Sequence, residues 1–172
     1  LRLSLPQRCC KGMALMDRTA ALLLISVILL TTAACTSDKA RREGELAKLA
    51  GDLPGQYEST DKMGGMLAIL PVHAGMIGDR VFYLERRGGD GAQSQYMLSV
   101  ELVDGKQIVQ HAFVFKDAPR WRNALQTPEL FKSLVPQDLR LTSRCNVTLT
   151  EAADAIDYAC GGIDERLQRI IE

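Results

Sequence analysis

From residue 55 onward, apolar and polar positions alternate mostly with a period of two; ahead of that stretch one short segment follows a helical period. Leu46, Leu49, Ala50 and Leu53 recur three or four residues apart, which predicts an amphipathic helix over Arg42–Ala50, stopped by Gly51 and Pro54. The alternation then predicts strands at Gly55–Ser59, Met66–Val72, Val81–Arg87, Gln95–Val103 and Gln107–Lys116. Gly64-Gly65, Gly75 and Gly78, Gly88 to Gly91, and Asp104-Gly105 punctuate them. Asp104-Gly105 is the sharpest hairpin signal, because a two-residue primed turn needs positive φ. Pro119–Leu134 reads as one or two short helical turns, followed by strands at Arg140–Leu149 and Ala155–Cys160. The tail Asp164–Glu172 reads as helix.

One helix followed by successive antiparallel strands predicts a mainly β fold, a meander that curls into a barrel. Some strands are apolar on both faces, as where Ile108, Ala112 and Val114 alternate with Val109, Phe113 and Phe115. One face would pack under helical turns. The other would line a cavity or fill a solid core, and the pattern allows both.

The N-terminal region has another character. Arg18 precedes an apolar run, Ala20–Leu30, and then the small residues Thr31 to Ala34 lead to Cys35. A basic start, a short apolar core and a small-residue cleavage site form a secretory signal. A cysteine directly after them resembles the lipobox of bacterial lipoproteins, in which the thiol is acylated and becomes the first residue of the mature chain. A spanning anchor is the competing reading, but it needs about 20 mostly apolar residues, and the strictly apolar run is shorter. The chain opens on Leu1, so Met13 or Met16 is the expected start, and Cys9 and Cys10 then fall outside the mature protein. Residues 1–34 are read as over-extended start plus signal, 35–45 as lipid anchor and charged tether, and 46–172 as one β-barrel domain. Beyond Ala34 remain 17 basic and 20 acidic side chains, a balance that offers no basic field for nucleic acid. The expected partner is a membrane, through acyl chains on Cys35; Thr36 in place of Asp after the anchor favours the outer membrane by the same resemblance.

Few residues offer chemistry. Cys145 and Cys160 are the thiols left once Cys35 is acylated, and a pair in an oxidising compartment is usually a disulfide. A hairpin around Thr150–Ala155 would set them opposite each other, while a two-ligand metal site or free thiols are the alternatives. No metal site is expected, since His73 and His111 are scattered, and no nucleophilic triad or phosphate loop is visible. Glu85 and Glu101 lie in strands as candidate general acids or as solvated side chains.

Several segments in order resemble the CpcT/CpeT chromophore lyase family. They are Leu46–Ser59 (LAKLAGDLPGQYES), Val81–Arg87 (VFYLERR) and Arg144–Val147 (RCNV) with Cys160 downstream. The resemblance spans about residues 46–162. It implies a calycin-type, lipocalin-like barrel, and in the family an enzyme that attaches a linear tetrapyrrole, a bilin, to a cysteine of an acceptor protein. Tyr83 and Glu85 stand where the family pattern places its ligand-binding residues, the carboxylate being suited to pyrrole nitrogens. The chain departs from the pattern in having no arginine between Arg87 and Arg120, where cations would hold propionates, and in ending a few residues past Cys160, which reads as a truncated C-terminus.

The expectation is therefore a lipid-anchored envelope protein with a lyase-like barrel that binds a bilin or another apolar ligand. It needs no cofactor, and self-association is left open. The alternatives are an active bilin lyase, and a structural lipoprotein with a filled barrel and no ligand.

Overall fold

The computed structural model describes residues 38–60 and 64–171; Cys35 and the signal lie outside the described residues. Helix α1, described over 38–52, is longer than the apolar spacing suggested. Its exposed face carries charges paired at i,i+3 and i,i+4, among them Arg42 with Glu45 at 2.8 Å and Lys48 with Asp52 at 2.5 Å. Such pairs add a few tenths of a kcal/mol each and let the polar face extend the helix.

Strands β1 (Gly55–Ser59), β2 (Met66–Val72), β3 (Val81–Arg87), β4 (Gln93–Val103) and β5 (Gln107–Phe115) follow as an antiparallel meander. Asp104 and Gly105 both take positive φ, 52° and 65°, and the Lys106 amide donates to the Val103 carbonyl, as in a primed turn, but the register pairs Val103 with Gln107, so Lys106 is a third loop residue. Residues 118–138 then cross the outside of the sheet as three 3-10 turns, Ala118–Trp121, Pro128–Ser133 and Pro136–Asp138. The remaining strands are β6 (Leu139–Thr142), β7 (Cys145–Leu149), β8 (Ala155–Cys160) and β9 (Ile163–Arg169).

Among the described residues the strands form one sheet in the order β6-β5-β4-β3-β2-β1-β9-β8-β7. Its two ends, β6 and β7, are successive in the chain and interrupted only by Ser143-Arg144, so the sheet curls into a nearly closed barrel. The seam is stitched by Gln110 of β5. Its Nε2 donates to the Val147 carbonyl (2.6 Å) and its Oε1 accepts from the Val147 amide (3.2 Å), so a side-chain amide replaces one rung of the ladder.

Two expectations are corrected. The single strand Arg140–Leu149 is split in two, because its first half pairs with β5 and its second with β8. The tail is not a helix but β9, inserted between β8 and β1. Ile163 and Leu167, four residues apart, share a face in either geometry. Cross-strand partners decide for the strand, notably Arg166 on Asp157 at 2.7 Å. β9 supplies the barrel's continuity between β8 and β1.

The barrel interior is filled. Tyr57, Leu67, Ile69, Phe82, Leu84, Leu98, Ile156 and Leu167 pack together there, and α1 lays Leu46 and Leu53 on the same cluster. α1 begins beside the β4–β5 turn, where the Lys39 stem lies over Gly105. It ends where Arg169 binds the carbonyls of Asp52 and Pro54, so it crosses that end of the barrel. Cys145 and Cys160 face each other in the β7–β8 register with their sulfurs at bonding distance, 1.95 Å. Closing that loop is worth about 3 kcal/mol in the chain-entropy model.

Candidate functional site

Strand β3 sends alternate side chains to opposite faces, and this alternation decides where chemistry can occur. Phe82 and Leu84 point into the barrel. Val81 and Tyr83 point outward, into a second apolar cluster with Met97, Phe115, Trp121 and Phe131 under the 118–138 segment. The aromatic rings there are in contact, Tyr83 with Phe131 and Phe115 with Trp121 each at 5.0 Å between centroids. Glu85 follows Tyr83 on the same outward face. Tyr83 and Glu85 are thus together, outside the barrel wall rather than in its interior.

The solvated reading of Glu85 is overturned: the residue is 1 % exposed. A carboxylate is buried only with partners, and the neighbouring residues supply them. Tyr83 Oη donates to Glu85 Oε2 at 2.8 Å. Arg87 Nε and Nη2 donate to Oε1 at 2.9 and 2.7 Å. Gln95 Nε2, in the adjacent strand, donates to Tyr83 Oη at 2.7 Å and to the Trp121 carbonyl at 2.9 Å, fastening the covering segment to the sheet. Burial and the bond to Glu85 push the Tyr83 hydroxyl well above the ordinary tyrosine range, so it stays a donor. The other candidate carboxylate, Glu101, is solvent-facing and sits 2.8 Å from His111 Nε2. His73 lies in a separate depression beside Asp79 and Arg80, away from Glu85.

Glu85 and Arg87 line a cavity of about 180 Å³ with Gln56, Met66, Leu67, Ala68, Leu125 and Gln126. Gln56, Ala68, Leu125 and Gln126 also line a groove of about 610 Å³ that runs on to Pro54, Leu70 and Pro71. The first volume is below the ~300–1,000 Å³ of ordinary ligand sites, whereas the groove is within it. A carboxylate has about four acceptor positions. Arg87 occupies two on Oε1 and Tyr83 one on Oε2; the Glu85 side chain has no exposed area, so a donor from the cavity reaches the remaining position only when a neighbouring side chain moves aside.

No family model, curated protein or solved structure matches this chain.

The site therefore rests on its own geometry: an apolar channel with a fixed carboxylate at one end and two amides, Gln56 and Gln126, along it. Among the described residues no group of three His, Cys, Asp or Glu side chains is placed to hold a metal ion. Sequence reading missed Gln95, Gln126 and Leu125. Gln95 had a signal, since it stands directly across from Glu85 in the β3–β4 register. Leu125 and Gln126 had none, because they reach the site from the irregular covering segment.

Proposed function

We propose that this protein is a lipid-anchored binding protein of the cell envelope whose ligand is flat and apolar with N–H donors, of the bilin type. The observation that carries the reading is the buried Glu85 at the base of a cavity that continues into a groove of ligand size. In this reading Glu85 Oε2 accepts from a ligand nitrogen, Met66, Ala68 and Leu125 contact the rings, and Gln56 and Gln126 fix their orientation. Arg87, half-exposed at the rim, serves any ligand carboxylate from the outer side. The resemblance to CpcT/CpeT lyases points to the same two residues, Tyr83 and Glu85, from sequence alone.

Titration with biliverdin tests it. A saturable, red-shifted visible band is expected, and Glu85→Gln should weaken binding by about 10- to 100-fold, the worth of one charge-assisted hydrogen bond. Equal affinity in that variant would remove Glu85 from the site. The filled interior favours a second reading, a structural lipoprotein; failure to take up biliverdin or any hydrophobic fluorophore would support it.

Anchoring has its own test. Cys35→Ser should move the protein from the membrane to the soluble periplasmic fraction, since each acyl CH₂ buried in lipid contributes about 0.8 kcal/mol. Retention in the membrane fraction would contradict the lipobox reading.

A further inference from the structure

The end of the barrel away from α1 is ringed by the turns that carry Gly64, Gly88 to Ala92, and Ile163, and these residues line a concavity of about 720 Å³. Arg86 lines it too. Unlike its neighbours Glu85 and Arg87, Arg86 lies on the inward face of β3 and reaches across to β9, where Nε donates to Glu165 Oε1 at 2.5 Å. The side chain is only 12 % exposed. A guanidinium has five N–H groups. Among the described residues one is taken, by Glu165, and both terminal nitrogens are without a protein acceptor. Neither terminal nitrogen is a fully buried orphan, so these four N–H groups face the concavity, where water or a ligand can meet them. The chain leaves room for it: a Cβ at Gly65 would come within 2.8 Å of Nη2, and one at Gly88 within 3.3 Å of Nη1.

We infer that this end of the barrel is a second binding site, for a carboxylate or phosphate group held end-on by the two terminal nitrogens of Arg86. The planar fork matches two oxygens of such a group. Glu165 fixes its orientation from the Nε side. The site is on the opposite face of β3 from Glu85 and does not depend on the reading given above. Asp90 stands at the rim and is the one opposing charge among the lining residues. Its Oδ1 accepts from the Ala92 amide at 2.9 Å, a bond that asparagine can keep.

Side-chain and amide ¹H–¹⁵N spectra of the full chain, titrated at constant ionic strength with inorganic phosphate and separately with acetate, test the site. Saturable shifts are expected at Arg86 Nε–H and at the Gly88, Gly89 and Ala92 amides. The tighter of the two probes names the oxyanion class. Asp90→Asn should tighten binding about three-fold by removing one screened charge. Arg86→Lys, which keeps the charge opposite Glu165 but loses the fork, should abolish saturation. Shifts that never saturate with either probe, or an Asp90→Asn variant that binds no more tightly, would overturn the site. So would unchanged binding in a folded Arg86→Lys variant.

Discussion

Raising the pH from 10 to 12 should unfold the protein, with its tyrosines releasing their protons in one transition. The chain has four tyrosines, and all four, Tyr57, Tyr83, Tyr96 and Tyr158, are held above the ordinary value of 10.0. Burial is the first cause in each case. At Tyr57 the Arg169 guanidinium opposes it; at Tyr83 the Glu85 carboxylate adds to it. Tyr158, in the barrel interior, is pushed up to about 12, with Ser94 opposing the effect of burial. The unfolded chain loses these protons first, so it binds fewer protons than the native state and stability falls as pH rises. The contribution is fully present below pH 10 and disappears as the pH climbs toward the native values. Each group contributes a slope of about 1.4 kcal/mol per pH unit while it titrates only in the unfolded chain. Tyr83 and Tyr158, the two raised furthest, together approach about 3 kcal/mol per unit, with Tyr57 and Tyr96 acting in the same direction, against a total stability of about 5–15 kcal/mol for a domain. Tyrosinate absorbance and far-UV circular dichroism should therefore change at a common midpoint. Four tyrosines titrating near pH 10 under a native spectrum would show that they are not buried donors.

Arg169→Ala should cost about 3–5 kcal/mol, the largest loss expected from any single surface-reaching side chain here. The guanidinium sits over the Tyr57 ring at 4.9 Å and donates to Tyr57 Oη, which itself donates to the Leu53 carbonyl. It also donates to the carbonyls of Asp52, Pro54 and Ala153. The last carbonyls of a helix have no partner within it, so this one side chain satisfies the end of α1 and ties it to β9 and the β7–β8 turn. Removing it leaves several half-buried acceptors without donors. Urea denaturation should show a lower midpoint at an unchanged m-value. Arg169→Lys should recover only part of the loss, because an ammonium cannot span the same acceptors. A loss under about 1 kcal/mol would mean that α1 is held by its apolar face alone.

How much of this was legible depends on which interactions set each element. β1, β2, β3 and β8 have the bounds their alternation predicts, since each buries one or both faces and ends at a glycine or a charged turn. The opposed cysteines followed from the same alternation, through the register of a hairpin. β9 was not legible, because Ile163 and Leu167 satisfy both periods and only its pairing with Arg86, Asp157 and Tyr57 selects the strand. At the candidate site Tyr83 and Glu85 were found by resemblance, and their two-residue spacing does place them on one face. That this face is the outer one was hidden. Tyr83 and Phe82 are neighbouring aromatics, and what buries Tyr83 is the irregular segment 118–138, which carries no period to read. Glu85 looked like a solvated carboxylate for the same reason.

In the proposed reading the ligand site lies on the outer face of the barrel, between the sheet and its covering segment. The most direct measurement is a map of backbone amide shifts on adding biliverdin to the protein. Changes are expected to concentrate at Gln56, Ala68, Glu85, Leu125 and Gln126, with the interior residues Leu84, Leu98 and Ile156 unmoved. Changes that cluster in the barrel interior, or saturable binding that leaves those five residues untouched, would contradict it.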